Sequence, residues 1–151
     1  MNTTQNRSSD PFRLERFLKA QERSYETAVA ELKRGCKYSH WMWYIFPQFD
    51  GLGYSPTAKL YAIKSKAEAD AYLDHEILGA RLYQCTNLVN QIEGQTAAGI
   101  FGFPDDPKLR SCMTLFAAVA ENSAPFTAVL DKYYQGEKDA KTLQLLASSN
   151  D

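Results

Sequence analysis

The residues with the clearest capacity for chemistry surround the most hydrophobic run of the chain, residues 41–46. His40 precedes this run, and an imidazole, which ordinarily titrates near neutral pH, can act as a general acid or base. We therefore expect His40 to be the catalytic residue if the protein catalyses a reaction. Eight further candidates are cationic, polar or aromatic and are assigned to ligand binding: Lys37, Ser39, Trp43, Gln48, Ser55, Tyr61, Arg81 and Lys108.

Arg81 is the most informative of the cations. It lies one helical turn from both Leu78 and Cys85, so it falls on the apolar stripe of its own helix. A guanidinium in that position extends to solvent, pairs with a carboxylate or binds an anion. Lys37 and Lys108 would add positive charge if the fold brings them close.

Helix termini and aromatic residues extend the same prediction. Ser39 and Ser55 are both interpreted as N-caps, and backbone N–H groups at helix N-termini bind phosphates and carboxylates readily. Trp43 and Tyr61 would offer surfaces for stacking, and Gln48 is a polar flank of the hydrophobic run. If these segments converge, they form a polar, cation-lined pocket for a small anionic ligand that bears a phosphate or a nucleotide. The sequence alone does not show that these segments converge.

Three other interpretations fit the same residues. His40 can be a core histidine that caps a neighbouring helix, or the whole polar set can be structural, joining helices through buried hydrogen bonds. The protein can also be a non-enzymatic protein–protein interaction module, with Tyr133, Tyr134 and the turn at residues 101–103 as an exposed patch. The sequence alone does not distinguish an enzyme from a binding protein, and it does not name the ligand.

Composition argues against several functional classes. Lys and Arg number 17 against 18 Asp and Glu, so we expect neither a nucleic-acid nor a membrane partner. The two histidines and three cysteines lack metal-binding spacing, and Asp50–Gly53 lacks the Lys-Ser/Thr of a phosphate-binding loop, so no metal and no cofactor are expected. The odd cysteine number and the lack of a signal-peptide pattern predict a cytoplasmic protein.

Hydrophobic periodicity predicts the elements that position these residues. Apolar residues recur at three- and four-residue steps and no β-alternation is found, which predicts an all-α fold: a compact orthogonal bundle of eight to ten helices. Its 151 residues suit one domain, placed at 10–147, with flexible tails at 1–9 and 148–151.

Individual helix limits follow from caps and breakers. The first stripe begins after Asp10-Pro11 and ends at Gly35, with a break near residues 21–24 as an alternative. A short buried helix follows the Ser39 cap, and a long one follows Asp74, where His75 helps the helix start. Asp105 and Asp106 are interpreted as the cap of a later helix.

Four sequence segments resemble one family. They are SHWMWYIFPQ at 39–48, GLG-x-S at 51–55, H-x-x-LG-x-RL at 75–82 and KLRSCMTLF at 108–116. Together they resemble the DUF1810 family, an uncharacterised bacterial family sometimes labelled calpastatin-like, over about residues 10–147. The resemblance implies a compact all-α fold and no established activity. The calpastatin label conflicts with this sequence, because that inhibitor is a disordered chain and this one encodes a core. Glu76 and Cys112 depart from the residues common in the family, proline and serine.

Overall fold

A computed structural model describes residues 9–149. Within that range the prediction of an all-α domain is confirmed: nine helices are present and no strand, apart from one isolated bridge between Phe49 and Ile63. The helices are α1 Glu15–Arg34, α2 Met42–Ile45, α3 Pro56–Leu60, α4 Lys66–Asp74, α5 Leu78–Gln91, α6 Ala97–Phe101, α7 Asp105–Val119, α8 Ala124–Tyr134 and α9 Ala140–Ser148. The predicted tails lie outside the described residues except for positions 9, 148 and 149, of which Ser148 closes α9. None of the helices in residues 9–149 has the length and apolarity of a membrane span.

Helix α1 is continuous, so the alternative break near residues 21–24 is wrong. The carboxylate of Asp10 accepts hydrogen bonds from the backbone N–H groups of Leu14 at 2.9 Å and Glu15 at 3.1 Å. It thus satisfies donors at the helix start, although the helix begins one turn later than the sequence suggests. Gly35 ends the helix with φ of 78°, the left-handed conformation that glycine adopts without steric cost.

The hydrophobic run forms a shorter helix than expected, and its predicted cap is wrong. Trp41, not Ser39, precedes α2, and no side chain caps that helix. The Ser39 hydroxyl donates instead to the buried carboxylate of Glu31. A buried carboxylate needs donors more than a one-turn helix needs a side-chain acceptor, which explains the difference.

The start of α5 also differs from the prediction in its cap. Asp74 is the last residue of α4, and α5 begins at Leu78. The Nδ1 atom of His75 accepts from the backbone N–H groups of Ile77 at 3.1 Å and Leu78 at 3.2 Å. The interpretation of His75 as a helix-starting residue is therefore confirmed, and the prediction of Asp74 as the cap is wrong.

Two long helices organise the packing. Helix α5 contacts α1, α4 and α8, while α7 contacts α4, α6, α8 and α9, and α2 lies on α1. The largest fully buried side chains are Trp41, Tyr72, Phe17, Phe46, Phe116 and Phe126. A buried ion pair between Arg16 and Glu68, 2.6 Å apart, ties α1 to α4. The hydrophobic run is thus anchored in the core, with its polar flanks at the surface or just below it.

Candidate functional site

An open cleft of about 310 Å³ lies beside α2, α3 and the start of α7. We call it the Lys108 cleft; its lining residues are Lys37, His40, Met42, Trp43, Tyr44, Ser55, Thr57, Asp105 and Lys108. Five of the nine candidate residues therefore meet here, from three separate stretches of the chain. A wider cleft of about 510 Å³, lined by parts of residues 9–18 and by Ala71 and His75, contains none of the nine.

Lys37 is held inside the protein. Its Nζ atom lies 2.8 Å from Oδ2 of Asp105, donates to the backbone oxygen of Ser39, and lies 4.9 Å from the centre of the Trp41 ring. Only 5% of its side chain is exposed. The charge of Lys37 is therefore largely balanced by Asp105, and its main effect is to join two segments of the cleft.

Lys108 is held by the same carboxylate but reaches the surface. Its Nζ lies 3.1 Å from Oδ1 of Asp105 and 4.4 Å from the centre of the Trp43 ring, and 22% of its side chain is exposed. Ammonium groups at that distance are attracted to the face of an indole ring. Lys108 thus occupies one face of Trp43, a ring that was expected to stack on a ligand. The interpretation of Asp105 and Asp106 as the cap of this helix is wrong, because Pro104 precedes α7 and no side chain caps it. Asp105 is the first residue of α7 and bridges the two lysines.

His40 and the hydroxyl groups of the cleft are accessible. His40 is exposed, so its interpretation as a core histidine is wrong, and its imidazole makes no hydrogen bond within residues 9–149. The Ser55 hydroxyl accepts from the backbone N–H of Ala58 at 3.1 Å, as predicted for an N-cap, and keeps its own proton to donate. Thr57 is exposed and its hydroxyl has no hydrogen-bond partner in the described part of the chain.

The position of Trp43 depends on a glycine. A Cβ atom at Gly53 would lie 2.7 Å from the Trp43 ring and 2.7 Å from Cβ of Ala58. Such distances are well inside van der Waals contact, so only glycine lets the loop approach the ring. The loop at residues 51–55 thereby supports the edge of the indole while Lys108 lies over its face.

Glu31, which the sequence reasoning missed, positions the segment that carries His40. Its buried carboxylate accepts hydrogen bonds from the backbone N–H groups of Tyr38 at 2.8 Å and Ser39 at 3.0 Å, from the Ser39 hydroxyl and from Nε1 of Trp41 at 2.9 Å. Burial by itself would raise the pKa of Glu31, but these four hydrogen bonds outweigh it and lower the pKa to about 2. The signal was available, because Glu31 follows Ala28 by three residues on an apolar stripe, where a carboxylate needs partners.

Arg81 lies outside the Lys108 cleft. Its Nη1 donates to Oε1 of Gln21 at 3.2 Å, and its guanidinium lies 4.6 Å from the centre of the Tyr25 ring. Gln21 is itself buried and donates to the backbone oxygen of Tyr44 and to the Tyr72 hydroxyl. Arg81 thus meets an amide and an aromatic ring, a combination that none of the three expected options described.

Three more candidate residues are not cleft residues. Ser39 is bonded to Glu31, as described. Gln48 is buried, and its Nε2 atom has no hydrogen-bond partner among the described residues. The ring of Tyr61 packs 5.8 Å from Phe17 and 5.2 Å from Tyr44, measured between ring centres. Ligand binding by these residues stays a prediction.

The charges of the cleft favour an anion over a cation. Two ammonium groups face one carboxylate, and the exposed His40 imidazole adds a ring N–H that can donate a hydrogen bond to an anion. Within residues 9–149, no three His, Cys, Asp or Glu side chains form a group that could hold a metal ion. The arrangement can attract a negatively charged group, hydrogen-bond to hydroxyls and transfer a proton at His40.

Comparison with known proteins places the chain in a family. A family model described as "Protein of unknown function (DUF1810)" matches residues 11–146. The crystal structure of the conserved hypothetical protein Rv1873 from Mycobacterium tuberculosis, at 1.38 Å, is similar with a TM-score of 0.91 and 52% sequence identity, over 93% of this chain and 100% of that one. No curated protein matches. Because the family model spans nearly the whole chain, this protein belongs to the DUF1810 family.

Proposed function

We propose that the protein binds a small phosphate-bearing anion in the Lys108 cleft. The observation that carries this proposal is the meeting of His40, Trp43, Ser55 and Lys108 in one open cleft, although they come from three separate parts of the sequence. Lys108 and His40 supply the groups that attract a phosphate. Asp105 forms ion pairs with both Lys37 and Lys108, and these contacts hold Lys108 in position at the cleft.

The electrostatic contribution comes mainly from Lys108. Lys37 and Asp105 form a close ion pair, and their opposite charges largely cancel at the cleft surface. Lys108 shares that carboxylate but is more exposed, so it can turn an N–H toward a ligand without leaving Asp105. A phosphate beside Lys108 would also accept hydrogen bonds from His40 and Ser55.

The volume of the cleft limits the size of the ligand that it can hold. Pockets for small molecules range from about 300 to 1,000 Å³. At about 310 Å³ the Lys108 cleft is at the lower end, which favours a small metabolite over a dinucleotide. If the bound molecule also reacts, we expect His40 to take up or release the proton.

A matched pair of lysine variants tests the proposal. Thermal unfolding would be followed with inorganic phosphate, sugar phosphates, nucleotides and dinucleotides, for the native protein and for Lys108→Met. We expect at least one phosphate ester to raise the unfolding temperature of the native protein and to have little effect on Lys108→Met. Lys141→Met, which removes an exposed lysine of α9, is the control and should respond as the native protein does. The absence of any shift across the panel would contradict the proposal.

A second candidate function is a protein–protein interaction module. The observation that favours it is the exposure of three aromatic side chains, Tyr38, Tyr54 and Phe103, each within two residues of a residue that lines the cleft. The patch expected at Tyr133 and Tyr134 is less suitable, because both rings are partly buried and both hydroxyls donate to backbone oxygens. Size-exclusion chromatography with light scattering, on the native protein and on Phe103→Ser, would detect association through this surface.

We also propose a cytoplasmic location. All three cysteines, Cys36, Cys85 and Cys112, are free thiols, and the last two are buried. Free thiols persist in reducing compartments, which supports this location. Imaging of the tagged full chain in its own cell tests it.

A further inference from the structure

We infer that the Lys108 cleft selects phosphate esters of polyols or sugars, in preference to bare phosphate and to nucleotides. This inference rests on the proposed function and names its ligand class. The inference depends on three features of the cleft: a carboxylate beside the cations, two available hydroxyl groups, and contacts that the protein itself makes to the aromatic rings.

The first feature is the carboxylate of Asp105. It lines the cleft with 18% of its side chain exposed, so a ligand beside Lys108 lies close to a negative charge. An ionised carboxylate offers about four lone-pair positions, and Lys37 and Lys108 take one on each oxygen. A ligand made only of anionic oxygens would be repelled by Asp105. A ligand that also carries a hydroxyl can donate to one of the remaining positions.

The second feature is the pair of hydroxyl groups at the start of α3. Ser55 accepts from the backbone N–H of Ala58 and keeps its own O–H to donate. Thr57 is exposed, and its hydroxyl makes no hydrogen bond to the described part of the chain. A polyol presents several donors and acceptors spread over its carbon chain, whereas inorganic phosphate near neutral pH has one or two O–H groups on a single centre. The polyol therefore complements two side-chain hydroxyls and one carboxylate better than a bare phosphate does.

The third feature is the state of the aromatic residues in the cleft. Lys108 lies over one face of Trp43, and the edge of that ring lies close to Gly53. The ring of Tyr44 packs against Tyr61. A nucleobase that stacked on this face of Trp43 would have to displace the lysine that attracts its phosphate, so base stacking there and phosphate binding compete. A sugar phosphate has no aromatic base, so it can bind beside Lys108 without displacing Lys108 from Trp43.

Calorimetric titration of the native protein with four probes tests this selectivity. The probes are ribose 5-phosphate, monoethyl phosphate, inorganic phosphate and adenosine 5′-monophosphate. We expect ribose 5-phosphate to bind about five- to tenfold more tightly than monoethyl phosphate, which has the ester but no hydroxyl. Inorganic phosphate and the nucleotide should both bind more weakly than ribose 5-phosphate.

Two variants distinguish contacts to the phosphate from contacts to the hydroxyls of the ligand. Both keep the ion pair of Lys37 and Asp105 intact. Thr57→Val removes one hydroxyl with little change of shape, and it should weaken ribose 5-phosphate severalfold while leaving monoethyl phosphate unchanged. Lys108→Met should weaken both. Thr127→Val, at an exposed position of α8, is the matched control and should change neither.

The outcomes distinguish this inference from the proposed function. If monoethyl phosphate, inorganic phosphate or the nucleotide binds as tightly as ribose 5-phosphate, the inference is overturned and phosphate binding is left intact. If none of the four probes binds, the proposed function itself is wrong and the inference falls with it. Weaker ribose 5-phosphate binding by Thr57→Val, with unchanged binding by Thr127→Val, would support the hydroxyl contact directly.

Discussion

The Nζ atom of Lys37 lies 2.8 Å from Oδ2 of Asp105, and this contact joins the segment that carries His40 to the first turn of α7. The other oxygen of Asp105 holds Lys108 at 3.1 Å. One carboxylate therefore sets the positions of both lysines in the Lys108 cleft. Its loss would leave the nearly buried ammonium of Lys37 with only a backbone oxygen and the Trp41 ring as partners.

Replacement of Asp105 should destabilise the protein more than its position at a helix start suggests. We expect Asp105→Ala to lower the free energy of unfolding by about 2–3 kcal/mol, because charge-assisted hydrogen bonds are lost and a buried ammonium is left unpaired. Urea unfolding measures the change. Asp70→Ala, at an exposed carboxylate of α4, is the control. The double variant Lys37→Met/Asp105→Ala should cost less than the sum of the single changes, and a strictly additive result would contradict the pairing.

Glu31 should make the stability of the protein depend on acid pH. Its pKa is lowered from 4.5 to about 2, so its stabilising contribution is complete above about pH 4.5 and is lost as the pH falls toward 2. The shift corresponds to about 3 kcal/mol. Glu31→Gln should therefore be less stable at pH 7 and should show a flatter loss of stability between pH 4.5 and 2 than the native protein. The free energy of unfolding of both proteins, measured across this pH range, tests the prediction. Glu26→Gln, on the exposed face of α1, is the control.

Gly53 should tolerate no side chain without movement of Trp43. A methyl group at this position would meet the indole ring and Ala58 at 2.7 Å. We expect Gly53→Ala to cost about 1–3 kcal/mol, as overpacking does, and to shift the fluorescence of Trp43 as the ring is displaced. The shift would be measured in a Trp41→Phe background, so that the signal comes from one indole. An unchanged spectrum together with unchanged stability would show that the loop yields instead.

Arg81 should matter for stability and not for ligand binding. Its guanidinium bonds to Gln21 and lies on Tyr25, away from the residues that line the cleft. We expect Arg81→Ala to lower the free energy of unfolding by about 1 kcal/mol, because one hydrogen bond and one cation–π contact are lost. Its affinity for a phosphate ester should equal that of the native protein, whereas Lys108→Met weakens binding. A loss of affinity in Arg81→Ala, at a temperature where the variant is folded, would contradict this prediction and show that Arg81 contributes to ligand binding.

Local features of the fold could be predicted because their causes lie within a few residues of one another. The left-handed Gly35 at the end of α1, the Ser55 cap and the role of His75 all depend on contacts inside one turn of chain, and the stripe of α1 follows from helical periodicity. One such prediction failed at Ser39, whose hydroxyl donates to the Glu31 carboxylate and accepts from no backbone N–H of α2. The Glu31 carboxylate took the hydroxyl that the sequence assigned to the helix.

The features of the candidate site likewise divide into those that the sequence determined and those that the tertiary structure decided. The amino-acid sequence by itself determined an all-helical chain, the burial of the hydrophobic run and the set of polar residues carried on its flanks. Only the tertiary structure decided that Lys108 meets Asp105 and Trp43, and that Arg81 meets Gln21. Helical periodicity fixes which face of an element is buried, but the partner of a side chain on that face depends on how helices distant in sequence pack together. The charges that shape the cleft are therefore set by helix packing, which periodicity along the chain does not record.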